Sequence, residues 1–256
     1  MPKIIAIHSY RGGTGKSNLT ANLATALALN GKRVAVIDTD IQSPGIHHLF
    51  DLDAEKTPKT LNDYLWGRIP IEDAVYDVSE AAGVKSVGSI FLIPASSNPD
   101  EIAHILSEGY QVSLINEGIR QLLRSLNLDY LLIDTHPGLS KETFLSIAIS
   151  NILIVILRPD RQDFQGTAVM VDLARQLKVP QMFLIVNKAI GSIDFADLKQ
   201  QVEKTYETPV AGIFPASEEM MRLGSNGIFC QEYPDHPWTD TLLQITDNLL
   251  TIDKKD

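Results

Sequence analysis

The stretch Lys3–Gly31 constrains this chain more than any other. It opens on a mostly apolar run, Lys3-Ile4-Ile5-Ala6-Ile7-His8-Ser9, with the length and composition of a buried strand. A glycine-rich loop follows: Tyr10-Arg11-Gly12-Gly13-Thr14-Gly15-Lys16-Ser17. Beyond it Leu19, Leu23, Ala26 and Leu27 fall on one helical face, and Gly31 stands where that helix must stop. Strand, glycine loop ending in Gly-Lys-Ser, and helix together form the setting of a phosphate-binding loop. Glycines let backbone N–H groups turn inward and approach a polyphosphate without Cβ clashes. The helix from Lys16 adds the positive end of its dipole. Lys16 is expected to reach the β and γ phosphates, and the Ser17 hydroxyl to ligate Mg²⁺. The dinucleotide fingerprint G-x-G-x-x-G fits less well. It finds Gly13 and Gly15 and a later acidic residue, Asp38, but Asn18 occupies the place of its third glycine.

The remainder alternates apolar runs with amphipathic periodicity. Strands are expected at 3–9, 33–38, 89–94, 130–134, 152–157, 182–187 and 210–214. Helices are expected at 16–30, 60–66, 99–106, 111–126, 140–149, 164–177, 195–206, 217–223 and 239–251. That order predicts an α/β fold, a doubly wound and mostly parallel sheet flanked by helices, in one domain over 1–256. The least regular stretch, Gly45–Gly83, is expected at a sheet edge. Ligands in such sheets bind beyond the C-terminal ends of the strands, so chemistry should sit just after the apolar runs.

The segment Arg11-Gly12-Gly13-Thr14-Gly15-Lys16-Ser17 resembles the deviant Walker A motif K-G-G-x-G-K-[ST] of the MinD/ParA family of P-loop ATPases. Other segments are similar in the same order. Asp38-Thr39-Asp40 matches the family's D-x-D in switch I. Asp134-Thr135-His136-Pro137-Gly138 is similar to its Walker B and D-[TS]-P-P-G segment, with His136 replacing a proline. Asn187 stands at the family's adenine-binding asparagine, and Pro215-Ala216-Ser217 resembles its second base-contacting loop. The resemblance implies ATP and Mg²⁺ as cofactors. The backbone of residues 11–18 would surround the phosphates. Asp134 would hold the Mg²⁺ shell, and the Gly138 amide would sense the γ-phosphate. Of Asp38 and Asp40, one would accept from Mg²⁺-bound water and the other orient the attacking water, in an order the sequence leaves open. His136 reads as a loop residue, because P-loop hydrolysis needs no histidine base.

The resemblance further implies a slow, partner-stimulated ATPase that forms an ATP-sandwich homodimer and positions cargo. Its partners would be a ParB-like or McdB-like adaptor and a matrix, non-specific DNA rather than membrane, placing it in the cytoplasm on the nucleoid. The family's signature lysine, which crosses the dimer interface, is replaced by Arg11. This departure resembles the carboxysome-distribution (McdA-like) branch. Either Arg11 or Lys141, near the start of the helix after Walker B, is a candidate for the missing cation, and Lys141 equally suits an exposed first helical turn.

Composition narrows the alternatives. The formal charge of −10 argues against a generally basic nucleic-acid binder but leaves room for a local patch from Arg158, Arg161, Arg175, Lys178 and Arg222. Arg158 is a candidate for an interface or for a solvated loop. The single Cys230 excludes a disulfide framework or a cluster bridged through two cysteines per subunit. The first strand is expected to begin at once, leaving no room for a signal peptide, and no apolar run is of membrane-spanning length. The last helical pattern carries Asp247, Asp253 and Asp256, so it is expected in the core rather than on anionic lipid. A MinD-like membrane regulator and a nucleotide sensor with little turnover stand as rival readings.

Overall fold

The computed structural model describes residues 2–53 and 56–252. Its eight-stranded sheet runs β3-β4-β2-β5-β1-β6-β7-β8. The strands are β1 (Lys3–His8), β2 (Arg33–Asp38), β3 (Tyr76–Asp77), β4 (Ser89–Ile93), β5 (Tyr130–Asp134), β6 (Ile152–Leu157), β7 (Gln181–Ala189) and β8 (Val210–Pro215). All neighbouring pairs are parallel except β3 with β4. The helices are α1 (Lys16–Leu29), α2 (Ile46–Leu49), α3 (Leu61–Leu65), α4 (Pro99–Glu108), α5 (Ser113–Ser125), α6 (Lys141–Ile149), α7 (Arg161–Gln176), α8 (Phe195–Tyr206), α9 (Glu218–Leu223), α10 (Phe229–Glu232) and α11 (Pro237–Ile252), with a 3₁₀ turn at Ile71–Ala74.

Alternate strand residues feed opposite faces, which is why both faces need helices. Ile5, Ile7, Val34, Val36 and Leu132 pack beneath α1 and α11. Ala35, Ile37, Leu131 and Ile133 face α5 and α3, and Ala6, Leu153, Val155 and Val186 face α7 and α8. α1 departs from the expected one-sided helix: Leu19 through Ala28 are all buried, because α2, α10 and α11 cover its outer side. Its alanines and threonines allow that close approach. α11 lies in the core as expected, burying Trp238, Leu242, Ile245 and Leu249. Asp253 and Asp256 lie outside the described residues.

Several boundaries moved for local reasons. α7 starts at Arg161 rather than Phe164, because Asp160 caps it by accepting from the amides of Gln162 and Asp163. Such a cap contributes about 1 kcal/mol. β7 runs on through Lys188 to Ala189 by means of an irregularity in its pairing with β8. Among the described residues of Gly45–Gly83, Tyr76 and Asp77 alone join the sheet, antiparallel at its edge. No helix among the described residues is long and apolar enough to cross a membrane.

Candidate functional site

The expected residues converge at the C-terminal ends of β1, β5, β2 and β7. Gly13 and Gly15 adopt positive φ (75° and 96°), which an L side chain rarely tolerates. A Cβ on Gly15 would also stand 2.5 Å from Asn187 Nδ2. The loop is held by its carbonyls. Ser9 Oγ donates to Arg11 O (2.7 Å), Lys188 Nζ to Gly13 O (2.8 Å) and Asn187 Nδ2 to Thr14 O (2.7 Å). In a planar trans peptide the N–H points opposite to the carbonyl. The amides of Gly12, Thr14 and Gly15 therefore face away from these anchors, into the cradle at the start of α1.

Below the cradle lies an unusual density of buried charge. Lys16 is only 7% exposed, and Asp38 and Asp134 are essentially buried. Parallel pairing makes Asp38 and Asp134 direct register partners on β2 and β5. Burial raises the Asp134 carboxyl to about 6, against the opposing pull of Lys16 and of hydrogen bonds from Ser17 and Thr20. Burial, then Asp134 and Asp40, push Asp38 well above the usual carboxylate range. Asp38 Oδ1 accepts the Asp40 amide (3.0 Å), while its Oδ2 is buried without a partner. That orphaned oxygen beside Asp134 and the Ser17 hydroxyl is the donor set a hard, oxygen-seeking cation takes. The glycine cradle with Lys16 suits a polyphosphate.

A cavity of about 290 Å³ opens beside the cradle, lined by Gly15, Asn18, Asn187, Pro215, Ala216, Ser217 and Trp238. Its place and size suit a nucleobase. Asn187, read from sequence as an adenine ligand, has a further job. Its Nδ2 is given to Thr14 O and its Oδ1 accepts the Lys188 amide (2.9 Å), leaving one N–H for a base. Ser217 caps α9 through the Met220 amide (3.0 Å).

Other expectations need correction. The Gly138 amide, expected to sense the γ-phosphate, donates to Ser9 O (3.1 Å) and so ties the loop after β5 to the cradle. Arg11 faces its own chain, 3.6 Å from Asp163 and 3.7 Å from Asp160. Since it is 40% exposed, that attraction is weak. Arg158 is neither a free interface cation nor a solvated charge: it grips buried Asp163 through Nε (3.0 Å). Lys141 is exposed at the first position of α6. The five basic residues do not converge. Arg175 donates to Tyr206 O (2.6 Å), and Arg161 and Lys178 lie at opposite ends of α7, about 25 Å apart at 1.5 Å per residue.

Three residues escaped the sequence reading. Lys188 reaches the cradle from a left-handed conformation (φ 58°) that no sequence pattern announces. His8 is buried, donating through Nδ1 to Thr135 Oγ1 (2.7 Å), and burial beside Lys16 lowers it to about 3. His136, a loop residue as expected, also contacts Asp40 at 2.6 Å. Its substitution for a proline was the available signal.

The family model described as ParA, NUBPL iron-transfer P-loop NTPase, matches residues 1–250. An uncharacterized ATP-binding protein of Methanocaldococcus jannaschii is 29% identical, over 96% of this chain and 87% of its own length. An iron-sulfur cluster carrier protein of Rickettsia prowazekii is 34% identical over 72% of this chain, but only 53% of the carrier is spanned. The septum site-determining protein MinD of Pyrococcus horikoshii, complexed with Mg-ADP, superposes with a TM-score of 0.81 at 20% identity, over 97% of this chain and 96% of that one. Iron–sulfur cargo does not fit the donor set here. Clusters are held by several thiolates, and the one cysteine, Cys230, is buried with its thiol pushed up to about 12. Cradle, buried Lys16 and paired Asp38 and Asp134 fit the match along the chain: this protein belongs to the ParA/MinD family of P-loop NTPases.

Proposed function

We propose that residues 1–256 act as one Mg²⁺-dependent ATPase unit that switches between monomer and ATP-bound homodimer to position a cargo. The observation that carries the reading is the buried Lys16, Asp38 and Asp134 cluster beneath the glycine cradle. Burying unlike charges with an orphaned carboxylate oxygen is unfavourable in an empty site and is relieved by a triphosphate with its cation. The amides of residues 12–17 and Lys16 bind phosphate. Ser17 and Asp134, with Asp38, would hold Mg²⁺, which would supply charge neutralisation for the phosphates. Asp40 orients water, and the cavity at Asn187 and Pro215–Ser217 takes the base.

Asp40→Ala is expected to bind ATP like the parent and to hydrolyse it at least about tenfold more slowly, since binding charge comes from elsewhere. Single-turnover hydrolysis checks this; parental turnover would sink the switch I assignment.

An ATP sandwich gathers many phosphate charges and needs a cation crossing the interface. Arg11, held only weakly in its own chain, and exposed Lys141 are the two candidates. Analytical ultracentrifugation with ATP is expected to show a dimer. It is expected to be lost in one of Arg11→Ala and Lys141→Ala while that variant still binds nucleotide. If both dimerise like the parent, neither residue is the bridge.

With an adaptor of the ParB-like or McdB-like kind, such a dimer distributes cargo over a matrix. Binding to non-specific DNA is expected only with ATP and to fall steeply with salt. A gel shift of ATP-free monomer would contradict this, and binding confined to anionic liposomes would assign a MinD-like membrane role instead.

A further inference from the structure

The loop after β5 reaches across to the loop after β2 through one side-chain contact. His136 Nδ1 stands 2.6 Å from Asp40 Oδ1. A carboxylate oxygen accepts, so the ring nitrogen is the donor. The same Oδ1 accepts the Ser43 amide at 3.1 Å. Two donors thus converge on Oδ1, and Oδ2 has no hydrogen-bond partner among the described residues. The carboxylate cannot rotate freely about its last bond without losing both. The pair is largely enclosed, Asp40 being 13% and His136 24% exposed at the side chain, so water competes poorly for either donor. The histidine is itself braced: Thr143 Oγ1 donates to its carbonyl (3.4 Å), and the Gly138 amide two residues on is fixed to Ser9 O. The clip therefore joins the loops after β2 and β5 to the phosphate cradle through one continuous set of bonds.

The geometry points to His136 as a positioning residue for hydrolysis: it fixes Asp40 so that Oδ2, and not Oδ1, is the oxygen presented to the attacking water. This role rests on the ATPase reading above. His136 touches neither phosphate nor water in it and transfers no proton. Orientation is where a P-loop site gains most of its rate, so loosening one carboxylate acts on turnover rather than on affinity.

The experiment is single-turnover ATP hydrolysis with parallel titration of a fluorescent ATP analogue. His136→Ala is expected to lower the hydrolysis rate by about 10²-fold, the scale of a misplaced catalytic group. Its nucleotide affinity should stay within about twofold of the parent, as for an interaction that does not contribute to ground-state binding. His136→Asn, which carries an N–H close to the place of Nδ1, is expected to recover most of the rate. In an Asp40→Ala background, His136→Ala should add nothing, because the group it positions is gone. The clip is read separately, in the nucleotide-free protein, by NMR of ¹⁵N-histidine: an Nδ1–H tautomer with a downfield proton that disappears in Asp40→Ala.

Parental turnover in His136→Ala, a full additional loss in the Asp40→Ala background, or a missing ring signature would each overturn the role. A parent that binds no ATP or never hydrolyses it overturns the ATPase reading and the positioning role with it, whereas the ring signature stands or falls independently.

Discussion

Lys16→Ala is expected to weaken ATP binding by at least about 10²-fold and to leave the protein folded. The lysine would make charge-assisted hydrogen bonds to two phosphates from a site sheltered from water, and bonds of that kind contribute about 1.5–3 kcal/mol each. Losing both costs about 3–6 kcal/mol, which is about 10²–10⁴-fold in affinity. The fold should survive because Lys16 belongs to no apolar cluster and sits at the first position of α1, where it contributes nothing to the core beneath. Its removal does leave Asp134 without its nearest countercharge. A buried carboxyl in that position responds by keeping a proton rather than by staying ionised and unpaired. Thermal melting should therefore show a cooperative transition near the parental one, and fluorescent-nucleotide titration should show the loss. Parental affinity in a well-folded Lys16→Ala would sink the P-loop assignment outright. Lys16→Arg is the informative companion: it keeps the charge but forces a planar fork into a buried slot shaped for an ammonium, so partial recovery at most is expected.

The contrast between Lys16 and Lys188 shows how far sequence carries in this protein. Lys16 is legible because its function follows from a local pattern of strand, glycines and helix within one stretch of chain. The alternating apolar strands are legible for the same reason, and the main elements fall close to where periodicity puts them. Lys188 serves the same loop from 175 residues away, out of a left-handed backbone conformation and a β-irregularity, and neither feature leaves a trace in residue type. Asp38 and Asp134 were each legible as strand-end acids, yet their adjacency is a matter of register between β2 and β5. The pair of β3 residues was too short to register as periodicity. His136 lies in a loop, as its sequence context implies, but its contact with Asp40 joins two loops 96 residues apart, which no local pattern announces. Arg11 was legible as a departure from the family motif. Its turn toward Asp160 and Asp163 was not, because those acids come from a different loop.

The register that joins Asp38 to Asp134 leads to the second large effect: Asp38→Asn is expected to abolish turnover and yet to melt at a higher temperature than the parent when nucleotide and Mg²⁺ are absent. Burial, Asp134 and Asp40 together raise the Asp38 carboxyl in the folded state. In the unfolded chain it titrates near the ordinary aspartate value of 3.8. Below that pH both states hold the proton and the group contributes nothing. As pH climbs above it, the unfolded chain ionises freely while the folded chain resists, so folding stability drains away until the raised folded value is passed. At neutral pH the nucleotide-free parent therefore carries a stability penalty from this one group. Asparagine resembles the protonated acid, keeps an oxygen for the Asp40 amide and carries no charge. Removing the penalty should raise the melting temperature. The gain should shrink to nothing as pH falls toward 4. The difference between variant and parent is the quantity to measure, because buried His8 and His47, lowered to about 3 and about 4, destabilise in the opposite direction as pH falls below 6.5. Adding Mg²⁺ and ATP should reverse the order, since the parent alone has the carboxylate that the bound cation rewards. A nucleotide-free Asp38→Asn that melts below the parent at pH 7.5 would show that Asp38 holds the fold together, and that its burial is not a cost kept for function.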